Sequence, residues 1–302
     1  MTFVRPINLR EYLMRRLVQL AMLCFIAGVA GACSPDEVIT TENIPTAGVR
    51  FINAVPDTGA AFGLDLRFVD LPESNSHFRI AFRNNVQTTA GVPASTQIQY
   101  KNTRAGNRHF RIFLDDTLVN VAQTVLKDST VNIEAGKLYT FLLWGNARSS
   151  GADRMRLTII DEAVADPGAQ VALRVINATG SAIDASQYAS TGSAPATPTW
   201  ANVAPYTVAT YVTAAPGQKR YNVQPAGGGA ALFTDALALI GVAATVDIEA
   251  LPGTTIAGSA VTAIVFPRSV AGSKAPQGGA FGSPAISFMW DRRPPRSCSP
   301  TC

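Results

Sequence analysis

The sequence predicts an all-β protein built as two tandem antiparallel β-sandwiches behind an export leader. Three observations lead there. Apolar residues past the first segment alternate with polar ones at a period of two, a pair of hexapeptides recurs in the same order, and the one long apolar run near the N-terminus is too short to span a bilayer. At 302 residues, 47% of them hydrophobic and 15% charged, the chain is too apolar to be disordered throughout. Its 24 Gly and 19 Pro follow no Gly-X-Y period.

The leader comes first. Arg15 and Arg16 precede the apolar run Leu17 to Ala32, interrupted only by Gln19 and ending at Cys33. A basic start, an apolar middle and small residues ahead of a cut describe a secretory signal over residues 1–32. Ala30-Gly31-Ala32-Cys33 resembles the bacterial lipobox, with Ala30 where Leu is usual. The resemblance implies that Cys33 carries lipid and starts the mature chain, and that the protein sits in the cell envelope. Ser34 after that Cys favours the outer membrane. An ordinary secreted form and a short uncleaved anchor are the alternatives. The formal charge is +4, and the leader holds Arg5, Arg10, Arg15 and Arg16 against Glu11, so removing it leaves +1. A nearly neutral mature chain has no electrostatic footprint for nucleic acid. Cys298 and Cys302 remain at the C-terminal end and suit a small-loop disulfide in an oxidising compartment, with unpaired, metal-bound and intermolecular states as alternatives.

Beyond a polar tether over residues 33–47, the strands read clearly. Leu64, Leu66 and Phe68 alternate with Asp65 and Arg67; Phe78, Ile80 and Phe82 with Arg79 and Arg83; Phe110, Ile112 and Leu114 with His109 and Arg111; Met155, Leu157 and Ile159 with Arg154 and Arg156. Each such strand has a dry face and a wet face, as antiparallel sheets packed in two layers do. Ala230 to Gly241 is the one stretch that admits a short helix. Val49-Arg50-Phe51-Ile52-Asn53-Ala54 returns as Leu173-Arg174-Val175-Ile176-Asn177-Ala178, and Thr130 to Ala135 (TVNIEA) returns as Thr245 to Ala250 (TVDIEA). Leu157 to Asp161 and Ser287 to Asp291 hold matching terminal places. A boundary is therefore expected near Asp166-Pro167-Gly168, with one sandwich over 48–165, a divergent repeat over 169–292 and a tail over 293–302. About 120 residues suffice for the seven or so short strands of an immunoglobulin-like sandwich.

The opening VRFINAVPD (Val49 to Asp57) and the later STVNIEAGKLYTFLLWG (Ser129 to Gly145) are similar to a bacterial envelope family, the domain-of-unknown-function family numbered 4397. The second unit keeps LRVINA and TVDIEA, but Leu251-Pro252-Gly253 replaces the Gly-Lys pair. The resemblance implies an exported or anchored β-sandwich, often in tandem. It brings no activity, cofactor or catalytic residue.

The search for chemistry finds little. His77 and His109 are the only histidines, both on the wet phase of their strands. HExxH, G-x-S-x-G, S-x-x-K and EF-hand patterns are absent, so no metal, cofactor or nucleophile site is expected. Asp115-Asp116 reads as a hairpin turn, because strand neighbours point to opposite faces. Gly227-Gly228-Gly229 reads as a flexible turn, and Asn177-Ala178-Thr179 is only a formal glycosylation triplet. Trp144 and Trp290 close their terminal strands, whereas Trp200, in the Pro/Thr-rich stretch Ala194 to Pro205, is the candidate for an exposed ligand contact. Asp291 to Arg296 packs three Arg beside two Pro and reads as a solvated tail or as a contact for anionic headgroups. Residues 48–165 hold 24 charged side chains and residues 169–290 hold 9, so the second unit presents a neutral surface. The expectation is a non-catalytic, lipid-anchored structural or interaction protein of the envelope, whose partners are the membrane through its lipid and an envelope protein or polysaccharide. The alternative is a carbohydrate- or envelope-polymer-binding module.

Overall fold

The computed structural model describes residues 44–59, 63–71, 79–83, 100–246 and 248–295. Cys33, His77, Cys298 and Cys302 lie outside the described residues, as do the leader and most of the tether.

Among the described residues the first half has eight strands: β1 (Thr46–Asn53), β2 (Leu64–Phe68), β3 (Arg79–Ile80), β4 (Lys101–Arg104), β5 (Gly106–Leu114), β6 (Val125–Ile133), β7 (Leu138–Trp144) and β8 (Arg156–Asp161). The second has nine: β9 (Val171–Asn177), β10 (Ile183–Ala189), β11 (Trp200–Val203), β12 (Thr207–Val208), β13 (Val212–Ala214), β14 (Lys219–Pro225), β15 (Phe233–Leu237), β16 (Ala260–Phe266) and β17 (Ala285–Arg292). In the first half, β4-β1-β7-β8 make one sheet and β3-β2-β5-β6 the other; in the second, the corresponding orders are β12-β9-β16-β17, with β13 beside β9, and β11-β10-β14-β15. Among the described residues, no ladder joins a strand of one half to a strand of the other. The protein is all-β, in sandwiched sheets.

The sheets are mixed, which corrects the purely antiparallel expectation. β1 pairs parallel with β7, from Gly48 opposite Leu138 to Asn53 opposite Leu143, and β9 pairs parallel with β16. A parallel pair cannot be closed by a tight turn and needs a long crossover. Here the strands of the outer sheet supply it, since β2, β3, β5 and β6 all fall between β1 and β7. Strands of this kind are buried on both faces and read as nearly continuous apolar runs. AVTAIVF in β16 and VALRVIN in β9 are buried throughout. Period-two alternation therefore marks the outer strands and the edge strand β8, and misses these.

Three apolar clusters stack the four sheets. Val49, Phe51, Tyr139 and Phe141 of the first inner sheet meet Leu66, Phe110 and Ile112 of its outer sheet. Leu173, Val175, Val261 and Phe288 meet Tyr221, Val223 and Trp200 in the second half. Between the inner sheets lie Ile52, Ala54, Leu142, Trp144, Ile176, Ala178, Ile264, Phe266 and Met289. Each large apolar side chain so buried contributes roughly 1.5–3 kcal/mol, and from Pro45 onward the chain forms one compact unit.

Three local expectations change. Ala230 to Gly241 contains strand β15, which takes the place of β6 in the second half. Thr130 to Ile133 lies in β6, but its look-alike at Thr245 falls in the segment 238–259, where Val246 is fully exposed and Ile248 is 59% exposed. That segment doubles back through the bridge Val242–Leu251, where Gly241 and Gly253 approach so closely that a Cβ on Gly253 would lie 2.5 Å from the Gly241 Cα. Asp115-Asp116 opens a longer connection carrying the single helical turn Val119–Ala122, in place of a tight hairpin.

Candidate functional site

The alternation of β1 sends Val49 and Phe51 into its own sandwich and turns Arg50 and Ile52 toward the other half. β9 does the same with Arg174 and Ile176. Two arginines thus enter the seam between the inner sheets, each from the middle of an apolar run.

Each meets a matching set of partners. Arg50 Nε donates to Thr140 Oγ1 at 2.7 Å, and Arg174 Nε donates to Thr262 Oγ1 at 2.6 Å. Thr140 donates onward to Glu162 Oε1 at 2.6 Å, and Thr262 donates onward to Asp291. Tyr100 lies over the Arg50 guanidinium and Tyr211 over that of Arg174, both with the ring centroid at 4.6 Å. The two sets then interlock. Arg50 reaches Glu162 at 3.2 Å and also Asp291, and donates to the Trp290 carbonyl at 2.7 Å. Arg174 holds both Glu162 oxygens, at 2.9 and 2.7 Å, and stands 3.4 Å from Asp291. The Arg50, Glu162 and Asp291 side chains are wholly buried. Two positive and two negative charges cancel, and both carboxylates are surrounded by donors. Such a group is costly to desolvate, yet costlier to leave half-paired.

Burial pushes the Glu162 carboxyl above its ordinary range, the Asp291 charge adds to that, and the two arginines pull against it. Burial also pushes Asp291 up, but Arg174 and Arg50 outweigh it and hold that carboxyl below its ordinary range.

One side of the seam is sealed and the other is open. Tyr211 donates to Asp291 Oδ2 at 2.7 Å. The Tyr100 hydroxyl is buried and, among the described residues, makes no bond to a carboxylate. Beside it opens a cavity of about 490 Å³ lined by Tyr100, Gly136, Lys137, Leu138, residues 161–164 and residues 290–293. Gly136 makes the β6–β7 turn at φ 78°, a conformation that suits glycine.

A second contact set ties the halves at the far end of β1. The guanidinium of Arg83 donates to the carbonyls of Pro267 and Ser283, each at 2.6 Å, and lies between Phe82 and Phe281. Burial lowers it to about 10. Lys274 pairs with Asp116, and Val270 N–H donates to the Pro56 carbonyl at 2.9 Å.

Trp200 departs from its expected role. It opens β11, is 6% exposed, stacks on Tyr221 at 5.9 Å and donates to the Thr210 carbonyl. Its phase in the strand points it into the core, so it is no exposed contact. Asn177 is buried and its amide holds the Ser181, Val203 and Ala204 carbonyls, which makes it a loop brace. His109 stays on the wet face beside Asp128, at 2.5 Å. Among the described residues, no group of three or more His, Cys, Asp or Glu is placed to hold a metal ion. None of the eight seam residues was read from the sequence as part of a buried ion group. The available signal was an Arg in the middle of an apolar run, present in both VRFINA and LRVINA. The terminal match also shifts by one residue: Ile160 faces Thr140 across β7–β8 and Met289 faces Thr262 across β16–β17, so Glu162 is the counterpart of Asp291.

The fold and seam thus define an all-β protein of two like-ordered sandwiches packed through their inner sheets. The family described as Domain of unknown function (DUF4397) matches residues 47–186, which supports the resemblance carried by VRFINAVPD and STVNIEAGKLYTFLLWG. The matched span holds the first half and β9, with Arg174. No curated protein matches the chain.

Proposed function

We propose that this protein is a non-catalytic, exported module of the bacterial cell envelope, anchored by lipid on Cys33 and built from tandem copies of one family domain that act as a single rigid head. The observation that carries this reading is the interlocked Arg50–Glu162–Arg174–Asp291 group. Glu162 accepts from both arginines, and Asp291 accepts from Arg50 and pairs with Arg174, so neither is free to act as a general base. The repeated strand order and the duplicated Arg–Thr–acid–Tyr sets support tandem copies. The apolar run ending in Ala30-Gly31-Ala32-Cys33 supports the anchor. A rigid head on a short polar leash suits a structural or interaction role at the membrane surface.

The test is metabolic lipid labelling and membrane fractionation of the wild type beside Cys33→Ala, followed by protease treatment of intact cells. The expected result is loss of label and of membrane association in Cys33→Ala. Unchanged fractionation in that variant would overturn the anchor. Release of the head from intact cells would place it outward, and protection until the outer layer is breached would place it inward.

A further inference from the structure

We propose that the loop between β10 and β11 is an acceptor for O-linked sugar, with Thr197 as its main position and Ser193 as the second. This loop is the Pro/Thr-rich stretch that the fold leaves without a task, since Trp200 at its end turns into the core. Residues 190–199 (STGSAPATPT) join Ala189 to Trp200 without helix or strand. Thr191 to Thr197 form an unbroken exposed run. The Ser193 and Thr197 hydroxyls make no hydrogen bond among the described residues. Thr199 differs: it is half-buried, and its Oγ1 accepts from the Gln187 N–H at 3.1 Å.

Three features fit this run to the cleft of a glycosyltransferase. The first is backbone shape. A residue ahead of proline is steered out of the helical region, so Pro195 extends Ala194 and Pro198 extends Thr197. Neither proline offers an N–H to a ladder, and a backbone already extended loses little freedom on binding. The second is the base on which the run stands. Ser190 N–H donates to the Gln218 carbonyl at 2.9 Å, Gly192 N–H donates to the Ala189 carbonyl at 2.8 Å, and Trp200 is buried. The third is chemistry. No residue between Asp184 and Lys219 is charged, and the neighbours of Thr197 are Ala196 and Pro198. Ser/Thr-rich segments with proline are the composition that carries O-linked sugar. Asn177-Ala178-Thr179 offers no rival, because Asn177 is buried and its amide holds three carbonyls. In the transfer, Thr197 Oγ1 attacks the anomeric carbon of a sugar activated as a glycosyl phosphate ester. The new C–O bond forms as the bond from that carbon to the phosphate oxygen breaks. The phosphate leaves with the electron pair, and the hydroxyl proton passes to a base of the transferase. Access to the transferase in the cell rests on the export proposed above; the acceptor chemistry does not.

The first arm of the experiment takes the full chain from the cell that encodes it, fractionates it, and maps sugar by mass spectrometry with fragmentation that spares glycosidic bonds. The expected result is sugar on the peptide that spans Ser190 to Thr199, attached at Thr197 or Ser193. Thr197→Val loses the sugar at that position, Thr197→Ser keeps it, and Ser193→Ala with Thr197→Val leaves the peptide bare. Both side chains are exposed, so the double variant keeps the wild-type melting temperature. The second arm needs no export. The chain without residues 1–32 is incubated with membranes of the same cell and tritiated UDP-glucose, UDP-N-acetylglucosamine or GDP-mannose. Label is expected in the wild type and absent from the double variant. Label here on a chain that never reaches the envelope keeps the site and removes the export reading. A bare peptide from an envelope-located chain overturns the site, whatever the anchor does. So does sugar that persists in the double variant, or a chain cut within residues 191–197, which would make this a processing loop.

Discussion

Arg50 and Arg174 stand at matching places in two like-ordered halves, yet one site is sealed and the other is open. Around Arg174 the Tyr211 hydroxyl completes a carboxylate; beside Arg50 opens a cavity lined in part by Tyr100, whose hydroxyl makes no bond to a carboxylate among the described residues. The turn before the second inner strand explains part of this. In the first half Gly136 and Lys137 make a tight turn between β6 and β7, whereas the second half runs from Leu237 to Ala260 through a long doubled-back segment. The same buried ion group thus serves two ends. The tyrosine bond to Asp291 closes one side, and a cavity borders the other.

The largest effect should come from breaking the shared charge. Asp291→Ala strips a carboxylate from both arginines and should cost about 3–5 kcal/mol of unfolding free energy, read by denaturant titration. A loss under about 1 kcal/mol would mean that water fills the seam. Next comes the pair that separates the two sides. Tyr211→Phe removes a hydrogen bond to a buried carboxylate and should cost about 1.5–3 kcal/mol, while Tyr100→Phe, which breaks no bond to a carboxylate, should cost under about 1 kcal/mol. Equal losses would erase the distinction between sealed and open.

The pH dependence sharpens the comparison further. Asp291 lies below its ordinary value of 3.8, so the unfolded chain takes up that proton first. Its contribution is complete above that value and is lost as pH falls through the lower folded value. Glu162 lies above its ordinary value of 4.5, so the folded chain takes up the proton first, and that stability is lost as pH rises. Melting temperatures from pH 4 to 8 should therefore fall in the wild type relative to Glu162→Gln as pH rises above about 4.5. A parallel pair of curves would show that Glu162 titrates alike in both states. The smallest effect belongs to the outer sheet. His109→Asn removes an exposed contact with Asp128 and should leave the melting temperature unchanged within error.

Much of this was legible in the sequence, element by element. Leu66, Phe110 and Ile112 announced outer strands because solvent on one face enforces polar neighbours. VRFINA and LRVINA announced two like halves. The parallel inner pairs were hidden, because a strand buried on both faces loses its period. The seam was hidden for a related reason: Arg50 and Glu162 are 112 residues apart, and no local pattern joins them. Trp200 misled because its Pro/Thr-rich surroundings resemble a loop, although the indole phase follows β11 into the core.

The position of β1 has a mechanical consequence. It is bonded along both edges, antiparallel to β4 from Thr46 to Val49 and parallel to β7 from Gly48 to Asn53. A pull transmitted through the residues ahead of Thr46 runs along that strand, so the bonds on its two flanks share the load in shear instead of opening one after another. Arg50 adds a bolt across the grain, into Glu162 and Asp291. Tension applied at Thr46 is thereby met by two ladders in shear and by that bolt across them.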